Sequence, residues 1–492
     1  MKKFVIPALS ALSFLASCNF LQKEPLGSIT PENFFQSGDD AEAALTATYD
    51  ALQGTGAYGQ DLNVMGEMPS DNCTSTNGDV NAMDKIIWTP TTSQVGNVYT
   101  QGYQGVNRAN IVLKYVPTIT MDTARRSQIQ GEARFIRALS YFNLARVYGG
   151  VPLRLTPTES GIAADVNLAR ATTDQVYDQV VADLLRAAIQ LPASNTNRAT
   201  KNSANALLAR VQLTRRNWAA AQAAAAKVIA SNITLGSFNA LYPAENKGPE
   251  SLFEIQYAGS ADGGNILPDL VLPSPLATYS FPKFNIPTAE LITYADTASG
   301  DTRWAFNGIV NAASGKVIGR SHASYIDGKP GVGGNSNDVG RFAYKWRSIG
   351  NNFSSTDNTY VLRYAEVLLA YAEAANEQTG PTPDVLAKLN LVRLRAGLTA
   401  LTATSPQALT KQTLRNEIDR QRRLELAFEG ERWFDLLRYA RHNQAEAGAH
   451  LITALDIIAQ QRNGARDVNY LVFPLPQSEI NTNPLVQQNP GY

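Results

Sequence analysis

Residues 123–148 constrain the fold more than any other stretch of this chain. Ile129, Ala133, Ile136, Ser140, Asn143 and Val147 recur at spacings of three and four, and Phe135, Leu139 and Phe142 form an adjoining stripe. Two apolar stripes on one helix demand burial on two sides, which predicts a central helix with neighbours packed on both. Gly149-Gly150 ends it, and Pro152 forbids its restart. A second helix begins at Thr172, where Gln175 completes a capping-box spacing. It carries Val176, Tyr177, Val180, Leu184 and Ala188, and stops at Pro192. In the pair 202–215 and 218–230, Leu208, Ala209, Ala221 and Val228 fit the crossing positions of a tetratricopeptide (TPR) helix pair, where small residues let two backbones approach. The same spacing also fits an ordinary αα-hairpin.

Helical periodicity therefore fills a first block, about 39–230, and returns in a second, about 358–462. In the second block Leu362, Ala365, Leu368, Leu369, Ala372 and Ala375 make one stripe. Leu386, Leu389, Val392 and Leu394 make another, and Leu414 to Arg441 a third helix. Between the blocks lies an insert over about 231–357. Its part from 259 to 355 is rich in Gly, Pro, Asn and Ser and holds no sustained helical period. Irregular stretches this long are usually functional. The expected fold is all-α: a TPR-like helical repeat scaffold with a loop-rich, partly β region on one face.

The N-terminus reads as an address. Lys2 and Lys3 precede an apolar stretch from Phe4 to Ala16, the plan of a secretory signal. Leu15-Ala16-Ser17-Cys18 matches the bacterial lipobox of Leu, two small residues and Cys, so residues 1–17 are expected to be removed and Cys18 to carry lipid. More than one acyl chain is needed for stable anchoring. Residues 18–492 then form the mature domain. Cys73 is its only other cysteine and reads as an inert, partly buried thiol. Lys+Arg and Asp+Glu are both 43, so the chain lacks the basic footprint of a nucleic-acid binder.

The signals for chemistry are weak. Glu425 and Glu429 share a helix face, as do Glu429 and Arg432, and so do Glu373 and Glu377. Such spacing reads as ion pairs tying helices together beside Trp433 rather than as an acid/base pair. His442 and His450 are eight apart, not the four of a zinc helix, and His322 offers no third ligand. Gly319-Arg320-Ser321-His322-Ala323 breaks the nucleophile-elbow pattern at its last position, and Gly331-Val332-Gly333-Gly334-Asn335 lacks the Lys of a phosphate loop. No catalytic residue, metal or cofactor is assigned.

Several long segments carry a family resemblance. Gly131 to Leu153, through Arg134-Phe135-Ile136-Arg137-Ala138 and Tyr148-Gly149-Gly150-Val151-Pro152, is one. Leu362-Arg363-Tyr364-Ala365-Glu366 running to Ala374 is another. Arg422-Arg423-Leu424-Glu425 through Glu429, Arg432-Trp433 and Asp435-Leu436 is a third, and the ending from Phe473-Pro474 to Asn489-Pro490-Gly491-Tyr492 a fourth. Together with the lipobox they resemble the SusD/RagB family, the starch-utilisation-type outer-membrane lipoproteins. The resemblance implies a TPR-like core with a loop-rich face, on the cell surface. It also implies a lid over a SusC-type TonB-dependent transporter that captures an oligosaccharide or other nutrient, and a binding protein rather than an enzyme. A non-glycan nutrient such as a peptide, or a TPR scaffold without a small ligand, stands as the alternative.

Sugar rings present apolar C–H faces that stack on aromatic rings, and their hydroxyls need fixed polar partners. Trp433 and Trp218 sit in helix-packing contexts and read as core. Trp88 follows the polar stretch Ser70 to Asn77, and with Asp71 and Asn72 it is a candidate contact, since the family site draws on this early loop and on the middle segment. Tyr99 stands where many members have Trp. Tyr279, Trp304, Tyr325 and Trp346 in or near the irregular region complete the candidates.

Overall fold

The computed structural model describes residues 31–492 except 238–239, 243–247, 260–262, 275–276, 278, 281, 297–299, 304–308, 311–316, 319–322, 327–339, 347–351 and 443–450. Cys18 and Trp304 thus lie outside the described residues. So does the side chain of Tyr325, although its backbone is in a strand.

The central helix is α4, Thr123–Tyr148, entered by α1 (Gly38–Asp50), α2 (Asp61–Glu67) and α3 (Ser93–Tyr115). Asp122 caps it, accepting from the Arg125 N–H, and Gly149 leaves it at φ +76°, a conformation that favours glycine. Of its residues from Ala133 onward only Arg134 keeps appreciable exposure, as the two stripes require. α3 packs on one side and α5 (Thr173–Gln190) on the other. Thr172 and Gln175 close the expected capping box on α5. The stack continues through α6 (Lys201–Thr214) and α7 (Trp218–Ile229), where Leu208, Ala209, Ala221 and Val228 are all buried. α7 then packs on α8 (Tyr364–Thr379), and α8 on α9 (Pro383–Arg395) and α10 (Lys411–Leu426). The result is an all-α, TPR-like stack in which each helix buries its stripe on the next. Trp433 is fully buried, whereas Trp218 is half-buried against Leu213, Ala221, Ala370 and Ala374.

Two boundaries differ from the expectation. Leu362 and Arg363 belong to strand β8 (Thr359–Arg363), and α8 starts only at Tyr364. β8 pairs antiparallel with β2 (Ser251–Ile255), so a partner more than a hundred residues away overrides the helical spacing. The single helix expected over Leu414–Arg441 is two, α10 and α11 (Arg432–His442). The break is a turn in which Phe428 and Gly430 take φ +67° and +77°. Glu67 at the end of α2 accepts the N–H groups of Phe428 (2.9 Å) and Gly430 (3.1 Å), satisfying donors that a continuous helix would have used internally.

Apart from β1, the remaining described strands lie in the insert. β1 (Cys73–Thr74) pairs with β3 (Ile286–Pro287), Cys73 opposite Pro287. A small sheet runs in the order β5 (Val317–Ile318), β4 (Ile309–Val310), β6 (Ala323–Ile326), β7 (Gly340–Ala343), and β7 lies beside β3. Cys73 is buried, and burial pushes its thiol far above its ordinary range. Two short helices follow α11, α12 (Ala454–Gln461) and α13 (Gln477–Thr482).

Buried charge locks insert and scaffold together. Arg363 is 1% exposed by side chain and donates to Glu250 (2.9 Å), Glu425 (2.6 Å) and Glu429 (2.8 Å). Glu425 also accepts from Arg303 (2.9 Å) and Arg395, and Glu429 from Lys345. Arg303 is in turn held by Asp301 at 2.6 Å. Burial works against the charge of Glu425, but Arg395, Arg363 and Arg303 outweigh it and hold the carboxyl well below its ordinary range. Glu373 pairs with Arg438 (2.7 Å) and Glu377 with Arg415 (2.6 Å). Glu373 and Glu377 share α8 and tie helices as their spacing indicated, whereas Glu429 lies in the turn between α10 and α11 and shares no helix face with Glu425 or Arg432.

Candidate ligand-binding site

The early loop and the middle segment meet on the irregular face. After α2 the chain turns through Ser70–Asn77, and β1–β3 pairing brings it alongside residues 282–287. Ser75 Oγ donates to the Lys283 carbonyl (2.7 Å), and Asn77 Nδ2 to that of Pro282 (3.1 Å). Within the loop Ser75 Oγ accepts the Asn77 N–H (2.9 Å), and Asn77 Oδ1 the Asp79 N–H (2.8 Å). These short side-chain-to-backbone bonds fix a turn that regular structure does not hold.

Among the candidate aromatics whose side chains are described, Tyr279 is the exposed one, at 45%. Its ring stacks on Phe353, with centroids 5.7 Å apart and planes 18° from parallel. Phe353 is held by its own N–H, which donates to Asp269 Oδ2 at 3.0 Å. Asn352 and Phe353 both take left-handed backbone, φ +52° and +59°. Two consecutive non-glycine residues there are strained, and strain of this kind clusters where geometry serves function. The turn thus supplies a fixed lower ring and Tyr279 an exposed upper one, a flat apolar platform with a polar edge. Phe353 was not legible as a site residue. Only the turn composition of Gly350-Asn351-Asn352 before it hinted at a special backbone.

Other candidates sit elsewhere. Trp88 is 2% exposed, lies against Phe473 at 4.2 Å between ring centroids, and donates its indole N–H to the Tyr492 hydroxyl (2.7 Å). It is core, and no ring face is left for a ligand. Trp346 is buried with its ring 6.4 Å from that of Tyr242. Asp71 accepts two bonds from Arg432 (2.8 and 3.0 Å). Burial opposes its charge, but Arg432 and Arg423 win and lower its pKa. Asn72 is fully buried between Glu67 (2.8 Å) and Arg423 (2.9 Å). These two fasten the root of the loop and leave its tip to face outward. Tyr99 lines a separate cleft. Trp304 falls outside the described residues, and of Tyr325 only the backbone in β6 is placed, opposite Arg341.

The fold is a helical-repeat scaffold whose loop-built region carries an exposed, stacked aromatic pair. Two family descriptions match the chain, "SusD family" over residues 310–492 and "Starch-binding associating with outer membrane" over residues 19–213. The chain belongs to the SusD/RagB family. It is 27% identical over 520 residues to SusD-like protein P2 of Formosa agariphila, covering all of both chains. To a SusD-like protein of Bacteroides ovatus it is 25% identical, covering 89% of this chain and 83% of that one. Among solved structures, a laminarin-binding SusD-like protein superposes with a TM-score of 0.73 at 24% identity, covering 93% of this chain and all of the other. A SusD homolog from Bacteroides thetaiotaomicron gives 0.76 at 22% identity, covering 94% and 98%.

Proposed function

We propose that this protein is a cell-surface lipoprotein that captures an oligosaccharide and acts as lid for a SusC-type TonB-dependent transporter. The observation that carries the reading is the exposed Tyr279 ring stacked on Phe353 in the middle segment. A sugar stacks its C–H face there, and the hydroxyls and backbone groups along the loop edge take its hydroxyls. Family membership supports the class, and a laminarin-binding neighbour of the same fold supports a glycan as cargo. The ion-paired carboxylates belong to the scaffold, which favours binding over turnover. Among the described residues no helix is long and apolar enough to cross a membrane. Attachment through lipid on Cys18 accounts for the membrane address.

Calorimetric titration of the mature chain against a glycan panel tests this. One class of glycan should bind, and Tyr279→Ala should weaken it about five- to tenfold, the worth of roughly 1 kcal/mol of aromatic contact. Tight binding of a peptide with no glycan bound would replace the sugar by another nutrient. Affinity capture in mild detergent should recover one dominant large barrel. Capture of soluble proteins instead would favour a scaffold role.

A further inference from the structure

A second cleft lies apart from the platform and shares no residue with it. It has a volume of about 360 Å³, within the range of small-ligand pockets. Tyr99, Tyr103 and Asn107 stand four apart on α3 and so share one face. The strap after α4 forms the second wall with Arg154, and α13 the third with Ser478 and Glu479.

The tyrosine rings are fixed. Their centroids are 4.8 Å apart at 51°, Tyr99 packs edge-on against Tyr148, and the Tyr103 hydroxyl donates to the Pro152 carbonyl (2.6 Å). Tyr99 is only 6% exposed, and its hydroxyl lies beside Glu479 and Tyr103 without a hydrogen bond of standard length and angle to either. A buried hydroxyl left so is an unusual feature in a well-packed protein. Burial, then the nearby Glu479 charge, raises its pKa far above the ordinary range, so it keeps its proton. Asn107 uses its Oδ1 to accept the Thr158 N–H (3.0 Å), and among the described residues no acceptor takes its Nδ2 hydrogens. Glu479 Oε1 accepts from Asn483 (2.9 Å).

Charge in the cleft is balanced. Arg154 gives its guanidinium to the Asp165 and Val166 carbonyls, so it braces the strap rather than offering a grip for an anion. A single carboxylate is a poor cage for a cation. What remains is two phenol rings, an amide and a carboxylate facing a space of ring size. That inventory suits a neutral polyol with an apolar face.

We propose that this cleft is a second carbohydrate site that takes one neutral hexopyranose unit. The sugar's C–H face lies against Tyr103 and its hydroxyls bond Glu479 and Asn107, while the Tyr99 hydroxyl, closed off from the cleft, sits behind Glu479 as a positioning group. The ligand class rests on the glycan-binding reading above, but the site does not depend on the platform. Two contacts on one chain would hold a long polysaccharide through effective concentration, more firmly than either contact alone.

Saturation-transfer NMR on the full-length protein in a non-glycosidic detergent tests this. The probes are the methyl α- and β-hexopyranosides of glucose, galactose and mannose. The cleft predicts that at least one probe still binds the Tyr279→Ala variant, that Ser478→Trp at the exposed rim abolishes this residual signal, and that Tyr99→Phe weakens it at least fivefold with Tm unchanged. Loss of all binding in Tyr279→Ala overturns the cleft and leaves the platform standing. Residual binding that survives Ser478→Trp and Tyr99→Phe also overturns it. Binding removed by Ser478→Trp but untouched by Tyr279→Ala upholds the cleft and overturns the platform. Should Ser478→Trp fail to fold, Tyr99→Phe alone decides. No binding of any probe to the wild type overturns the proposal.

Discussion

Trp88 and Tyr279 both follow polar, turn-rich sequence, yet one is sealed and the other open. Trp88 is closed in by Trp433, Tyr470, Phe473 and Tyr492, all hundreds of residues further along, so nothing near it in sequence announces its burial. Trp88→Phe should lower stability by about 1–3 kcal/mol, through the lost N–H bond and packing, and leave glycan affinity unchanged. Thermal unfolding beside calorimetry reads both. Asp71 and Asn72 misled for the same reason, since Arg432 and Arg423 reach them from more than 350 residues away. The ion-pair role of Glu425 agrees with the expectation but not through its spacing: α10 ends at Leu426, so Glu425 and Glu429 share no helix face and are joined by Arg363 instead. Arg363 lies at the centre of that cluster. Arg363→Met leaves Glu250, Glu425 and Glu429 short of a counter-charge and should cost about 3–5 kcal/mol in denaturant unfolding.

Helix ends with a chemical signature were readable: the Thr172–Gln175 box, the Gly149 stop, the alanines that let α6 and α7 cross. Ends imposed by another element were not. β8 is a strand because β2 pairs with it, and the α10–α11 break exists because Glu67 holds the turn open from below. At that contact a Cβ on Gly66 would stand 1.9 Å from the Gly430 carbonyl oxygen, a backbone atom that cannot swing aside. Gly66→Ala should therefore destabilise by about 2–3 kcal/mol, more than a helical Gly→Ala change normally moves stability, and in the opposite direction. Denaturant midpoints give the sign directly. The irregular face was legible as a region but not as a geometry, for loops take their shape from single bonds such as Ser75 to Lys283.

For the whole molecule the buried carboxylates set the response to pH. Glu425, Glu429 and Asp435 are buried, which opposes their charge, but facing arginines hold all three below their ordinary values of 4.5, 4.5 and 3.8. Their contribution is complete above those values and is lost as pH falls through the lower folded ones. Glu67 has the opposite sign. Burial pushes it up to about 7, so its contribution is complete below 4.5 and is lost as pH rises through about 7. Glu132 and Glu250 share that direction, burial again leading. Tm should thus peak near about pH 5–6, fall steeply below about pH 4 and decline gently toward pH 8, as scanning calorimetry across buffers would show. Cys18→Ala should leave this profile intact while moving the protein from the membrane fraction to the soluble one. Retention in the membrane would refute lipid attachment. The bond from Trp88 to Tyr492 spans 404 positions. Closing the Trp88 cluster therefore waits on contacts of very high sequence separation, which places it among the late events of folding rather than in a locally formed nucleus.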